Sequence, residues 1–149
     1  MNKSLNIVIA GLGTVGSGTI QLIEKNKSLI KLRSGLDINI IGISGKSRNK
    51  KRSFNVKKYN WFDNPLKMLQ LKDLDVVVEL IGGEKGIAKR ICFESLKKKK
   101  NLITANKSLI ASKGYELAKI AETNDLFLGY EASVAGGIPI ILNLKKSLS

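Results

Sequence analysis

The chain contains no histidine and only one cysteine. The first absence removes the commonest general base at neutral pH and the commonest zinc ligand. The second excludes an internal disulfide framework and any multi-cysteine metal site. Cys92 itself lies in an apolar stretch of helical spacing and reads as a core thiol, not a nucleophile. Acids are also scarce, with 12 Asp and Glu against 26 Lys and Arg, for a net charge of +14. Such a charge favours polyanions. The basic residues are nevertheless dispersed, with short runs only at Lys50 to Arg52 and Lys97 to Lys100, and the few aromatics do not interleave with them. No nucleic-acid partner is therefore expected. No run approaches the roughly 18 apolar residues of a membrane helix, and the apolar stretch behind Lys3 is interrupted by Asn6. Neither a membrane span nor a signal peptide is expected, which points to a cytoplasmic protein. Two prolines, no Ser/Pro-rich linker and no internal repeat leave 149 residues, 43% of them apolar, as one domain with a real core.

Within that domain the organising stretch is Leu5 to Gly18. An apolar run there ends in Gly11, Gly13 and Gly16 at G-x-G-x-x-G spacing. It reads as a buried strand turning through glycines into a helix, where bare backbone amides and the positive helix terminus suit a pyrophosphate. The pattern alone is weak evidence. A helix is expected over Thr14 to Leu29, and a second strand over Asp37 to Ser44. A basic loop follows from Gly45 to Lys58, then a short helix from Pro65 to Leu71. Asp75 to Ile81 reads as a third, buried strand closed by Gly82-Gly83, and Gly86 to Lys97 as a helix. A fourth strand spans Asn101 to Thr104, a helix Leu109 to Thr123 and a fifth strand Leu126 to Tyr130. The last segment starts a helix at Pro139. Strands alternating with helices imply an α/β fold with a Rossmann-type doubly wound parallel sheet. Ligands bind beyond the carboxyl ends of its strands. The loops there are Gly11 to Gly16, Ser44 to Arg48, Ile81 to Glu84, Thr104 to Lys107 and Glu131 to Gly137. Gly and Ser can merely mark turns, but all five loops together are too rich in Gly, Ser, Thr and Lys for that reading.

An NAD-binding second strand usually ends in an acid that holds the ribose hydroxyls. Between Asp37 and Asp63 there is none. That window holds Lys46, Arg48 and five further basic residues, which suit the 2′-phosphate of NADP(H), with Lys46 and Arg48 as the contacts. NAD(H) stays open, since a basic loop in a basic protein can be only a solvated face. Lys107, at the mouth of the fourth strand, could orient a nicotinamide or exchange a proton with a substrate oxygen. Tyr115-Glu-Leu-Ala-Lys119 copies the Tyr-x-x-x-Lys pair of short-chain dehydrogenases, but the glycine spacing and the strand count before it do not fit. It reads as coincidence on an amphipathic helix.

Gly-Leu-Gly-Thr-Val-Gly (11 to 16), Val-Val-Val-Glu-Leu-Ile-Gly-Gly (76 to 83), Thr-Ala-Asn-Lys-Ser-Leu-Ile-Ala (104 to 111) and Tyr-Glu-Ala-Ser-Val-Ala-Gly-Gly-Ile-Pro-Ile-Ile (130 to 141) together resemble homoserine dehydrogenase. Ile-Ser-Gly-Lys-Ser-Arg (43 to 48) resembles the family's second-strand segment, which commonly has arginine where Lys46 stands. The resemblance runs the whole length of the chain. It implies interconversion of aspartate 4-semialdehyde and L-homoserine with NAD(P)H, a step toward threonine, methionine and isoleucine. It implies cofactor contacts at Gly11, Gly13, Thr14, Val15, Gly16, Gly82, Gly83, Thr104, Asn106 and Lys107, with Lys107 also catalytic. It further implies a monovalent cation such as sodium, held by the Glu131 carboxylate and carbonyls near Val134, Gly136 and Ile138. Gly136 stands where some relatives have alanine. Family members continue into a substrate-binding and dimerising domain. Residues 1–149 are therefore expected to be the cofactor-binding half of a homodimer whose small-molecule substrate contacts lie elsewhere, and to turn over little alone. Another two-domain reductase, or a nucleotide-sensing module without catalysis, remains the alternative. An acylating semialdehyde dehydrogenase is disfavoured, since no cysteine follows a strand.

Overall fold

The computed structural model describes residues 3–134, 136, 138 and 140–148. Five strands build one sheet: β1 (Lys3–Ala10), β2 (Leu36–Ser44), β3 (Val76–Glu79), β4 (Asn101–Thr104) and β5 (Leu128–Gly129). They lie in the order β2-β1-β3-β4-β5, and every neighbouring pair is parallel. Between β1 and β2 run α1 (Thr14–Lys25) and α2 (Lys27–Ser34). The helix α3 (Gly86–Lys97) joins β3 to β4, α4 (Lys107–Thr123) joins β4 to β5, and α5 (Ile140–Leu148) follows. This is the expected α/β, Rossmann-like architecture.

The two-residue period of β1 divides the interior in two. Ile7 and Ile9 point to one face, where they meet Ile20 of α1, Ile43 of β2, and Val76 and Val78 of β3. Val8 and Ala10 point to the other, against Val77 of β3, Ile91 and Leu96 of α3, Leu102 of β4, and Leu109 and Leu117 of α4. Ile9, Ile20, Ile91 and Leu102 are completely buried, and such a side chain contributes roughly 1.5–3 kcal/mol by leaving water. One strand thus serves two cores.

Several boundaries differ from expectation for identifiable reasons. The single helix expected over 14–29 is two. At Asn26 the side-chain amide and the backbone N–H both donate to the Leu22 carbonyl, at 2.8 and 3.0 Å, and the backbone leaves helical torsions (φ −106°, ψ 13°). Asparagine competes in this way for helix carbonyls. α2 then ends on Gly35, whose left-handed φ of +70° lets its N–H close on the Lys31 carbonyl. β2 starts one residue early and carries a bulge, because Ile7 pairs with Ile40 but Val8 with Gly42. The 65–70 segment is a 3₁₀ helix with Pro65 at its start, and the Asn64 side chain caps it. α4 opens two residues early because Asn106 accepts the Leu109 N–H. β5 shrinks to two residues, since the Leu126 N–H is still held by the Ala121 carbonyl at the end of α4. The expected start of the last helix at Pro139 lies outside the described residues, and α5 is described from Ile140.

Candidate nucleotide-binding site

The β1–α1 turn is closed by direct backbone contact. A Cβ on Gly16 would sit 1.9 Å from the Gly11 carbonyl oxygen, and one on Gly11 would sit 2.4 Å from the backbone of Leu80. The first and third glycines are therefore required by the protein's own packing. Gly13 differs: a Cβ there would meet nothing within 4 Å, and its torsions (φ −76°, ψ −159°) are open to any residue. As N-cap of α1 it offers no side chain to the first amides, and the first turn holds no acid. The first N–H groups of that helix have no intrahelical acceptor, and the side-chain position of Gly13 beside them is open. This is the spacing logic of a dinucleotide turn: the first glycine makes the bend, the second lets a pyrophosphate approach, and the third packs helix on strand.

A cleft of about 480 Å³ opens beyond the carboxyl ends of β1, β2 and β3. Its floor is Gly11, Leu12 and Gly13. One wall is Ser44, Gly45, Lys46, Ser47, Lys50 and Arg52, and the other holds Leu80, Ile81 and Ile87. It sits at the switch point, where the chain crosses from β2 on one side of β1 to β3 on the other. Lys46 lines it as expected. Arg48 does not border it; its carbonyl instead accepts from Arg52 at 3.4 Å. Arg52 also donates to the carbonyls of Ser47 (2.7 Å) and Lys50 (3.0 Å), and its guanidinium lies 5.5 Å from the centre of the Trp61 ring. That side chain folds the basic loop into a wall. Arg52 was hidden in the sequence among six other cations, and the aromatic partner nine residues on was its only signal. Asp63 reaches the rim and accepts from the Trp61 indole at 2.7 Å.

The second pair of turns, after β3 and β4, is tied together from beneath. Glu79, the last residue of β3, is completely buried. Its Oε1 accepts the Ile81 and Gly82 N–H groups, each at 2.8 Å, and its Oε2 accepts the Thr104 hydroxyl at 2.6 Å. Thr104, also completely buried, uses its hydroxyl there and its carbonyl for the Ser133 hydroxyl at 2.7 Å. Neither group faces the cleft. The Asn106 side chain donates to the Gly83 carbonyl at 2.7 Å, and Lys107 opens α4 from the surface. Gly82 and Gly83 hold φ of +81° and +92°, with open space where a Cβ would be. Cys92 packs completely buried against Glu79, where burial above all, and then the neighbouring carboxylate, push its thiol well above the usual range. It is a core thiol. Glu79 was legible only as one acid inside an otherwise apolar strand.

A family model described as the NAD binding domain of homoserine dehydrogenase matches residues 11–131. The chain belongs to the homoserine dehydrogenase NAD-binding domain family. It is 39% identical over 147 residues to the homoserine dehydrogenase of Neisseria gonorrhoeae, covering 99% of this chain and 33% of that protein. The corresponding Bacillus subtilis enzyme is 36% identical, with 99% and 34% covered. A crystal structure of S. aureus homoserine dehydrogenase at pH 8.5 superposes with a TM-score of 0.84 at 40% identity, covering 92% of this chain and 34% of that one. The chain thus spans about a third of the length of the homoserine dehydrogenases it matches. The cleft is accordingly that of a nicotinamide-nucleotide-binding domain.

The segment expected to bind a cation follows β5. Glu131 begins a single 3₁₀ turn ending at Ser133, and the Val134 N–H returns to the Glu131 carbonyl. Gly136 takes a left-handed φ of +59°, and the Ile138 carbonyl accepts the Ile140 N–H at 2.7 Å. Among the described residues no cluster of three His, Cys, Asp or Glu is found. A donor set of one carboxylate and several carbonyls suits a hard monovalent ion more than a transition metal. Tyr115 and Lys119 are placed on α4, outside the cleft. No helix among the described residues is long and apolar enough to cross a membrane.

Proposed function

We propose that this chain supplies the NADP(H)-binding domain of an enzyme that interconverts aspartate 4-semialdehyde and L-homoserine, toward threonine, methionine and isoleucine. Residues 1–149 form the dinucleotide domain on this reading. Substrate binding and homodimer formation belong to the part of the relatives' length that the chain does not span. The observation that carries the choice of NADP(H) is the cleft wall, where Lys46, Lys50 and Arg52 stand beyond the end of β2 in place of an acid. Cations there favour a 2′-phosphate dianion through charge-assisted hydrogen bonds.

When bound, NADP(H) supplies or accepts the hydride. The chain's own residues bind and orient. Amides of Thr14, Val15 and Gly16 take the pyrophosphate beside Gly11 and Gly13, and Lys46, with Arg48 on the outer loop, takes the 2′-phosphate. Gly82, Gly83 and Asn106 border the nicotinamide, with Thr104 fixing the corner from within. Lys107, exposed at the start of α4 beside Asn106, holds or moves a proton at the substrate oxygen. A sodium-like ion held by Glu131 and the carbonyls of Val134, Gly136 and Ile138 steadies the segment after β5.

Fluorescence titration of NADPH and NADH against the wild type and a Lys46→Glu/Arg48→Glu variant tests the preference. We expect NADPH binding to weaken by about tenfold or more, with NADH little changed. Equal losses overturn it. Asp63, the acid among the residues lining the cleft, favours NAD(H) as the second reading, and tighter wild-type binding of NADH than of NADPH would select that reading.

A further inference from the structure

Glu79 is an uncommon object: a completely buried carboxyl that forms no ion pair among the described residues. A buried carboxylate is costly to desolvate unless hydrogen bonds compensate. Here they do, from the Ile81 and Gly82 amides on one oxygen and the Thr104 hydroxyl on the other. The chain of bonds does not stop there. Thr104 Oγ1, while donating to Glu79, accepts the Asn106 N–H at 3.1 Å. Asn106 Oδ1 accepts the Leu109 N–H at 3.1 Å and so caps α4, while its Nδ2 donates to the Gly83 carbonyl. The path runs from the Gly82 amide through Glu79, Thr104 and Asn106 back to Gly83. It is a closed polar ring that locks the turn after β3 to the first turn of α4, where Lys107 sits.

We propose that Glu79 is a positioning residue that holds the Gly82-Gly83 turn and the Asn106-Lys107 corner as one rigid unit. It does not itself line the cleft and acts only through the backbone of its own turn, Ile81 included, and through Thr104 and Asn106. Its functional weight rests on the reading that these turns flank the nicotinamide. An acceptor-only group is needed at this place. A glutamine amide in its stead has one acceptor oxygen for two sets of donors. If that oxygen kept the Ile81 and Gly82 amides, its NH₂ would face a hydroxyl already accepting from Asn106, and the Thr104 proton would lose its acceptor. Packing alone would be satisfied by any apolar side chain of similar volume, so the polar ring is the feature that requires glutamate.

Amide hydrogen exchange in the nucleotide-free protein, alongside NADPH titration, tests this for Glu79→Gln, Thr104→Val and Thr104→Ser. In Glu79→Gln we expect exchange to accelerate by about tenfold or more at Ile81 to Gly83 and also at Lys107 to Leu109, with α1 unchanged. NADPH affinity should fall by a similar factor. Thr104→Val should reproduce the change at Lys107 to Leu109, and Thr104→Ser, which keeps the hydroxyl, should restore it. Acceleration confined to Ile81 and Gly82 overturns the proposal, because Glu79 would then be a local cap. Uniform acceleration across the sheet overturns it as well, because the role would be stability alone. If Glu79→Gln does not fold, the contrast between Thr104→Val and Thr104→Ser decides by the same criterion. Wild-type failure to bind NADPH would refute the nucleotide reading, while the exchange pattern still decides the ring.

Discussion

The two glycine turns that flank the cleft differ in what surrounds their glycines. In the turn after β1, backbone occupies the space of a side chain at Gly16, down to 1.9 Å, and at Gly11, which also holds a left-handed φ of +105°. In the turn after β3, Gly82 and Gly83 have open space around them and are required by torsion, with a buried carboxylate holding the Gly82 amide. The first turn is rigid by contact and the second by hydrogen bonding. A polyanion gains from a surface whose amides cannot move, since no reorganisation accompanies binding. The turn after β3 is instead set by a network that the loop after β4 shares.

The sharpest way to break this comparison is Gly16→Ala. The new methyl would collide with the Gly11 carbonyl, and overpacking of this severity destabilises by about 3 kcal/mol; urea denaturation of the variant would show it. Gly13→Ala should separate binding from folding. Only the modest N-cap preference is lost, at about 1 kcal/mol, while nucleotide affinity falls about tenfold because the methyl occupies the approach to the helix amides. Gly83→Ala, strained by φ of +92° and not by contact, should cost about 1–2 kcal/mol in the same denaturation experiment. Smallest of all, Cys92 beneath that turn should resist alkylation in the native state at mildly alkaline pH, which mass spectrometry would read. Its raised thiol and the Tyr59 phenol, pushed up to about 12 mainly by burial and then by Glu24, have one consequence for pH. Both groups stay protonated in the fold after the unfolded chain has begun to lose its protons. Their contribution is therefore intact below the free thiol and phenol values and is lost as pH rises past them. Cys92→Ala with Tyr59→Phe should flatten that alkaline decline.

Much of this was legible in the chain itself. The apolar run Ile7, Val8, Ile9 and Ala10 announced a strand with two buried faces, and the glycine spacing announced the turn, because both are local rules. Asn26 and the bulge at Ile41 were not legible, since each depends on whether a side chain or a neighbouring strand competes for the same backbone groups. Lys46 was found from the absence of acids around it. Arg52 was missed because its role comes from the ring of Trp61 and three carbonyls, a constellation that only folding assembles. Glu79 stood in plain view within Val-Val-Val-Glu, but the hydroxyl that completes its ring lies 25 residues away at Thr104. Short-range patterns identify elements; a buried polar group declares itself only through its distant acceptors and donors.

Placing the N-terminal strand in the middle of the sheet has a consequence for how the protein comes to be made. β1 is synthesised well before its second neighbour, β3, which begins at Val76. Until β3 has emerged, an apolar edge from Ile7 to Ala10 has no partner on that side and only α1, α2 and β2 to shelter it. Such non-local pairing slows folding and leaves a sticky strand exposed. The nascent chain must therefore be guarded at the strand that leads into the Gly11 to Gly16 turn, and variants that delay β3 should aggregate during synthesis before they ever fail in stability.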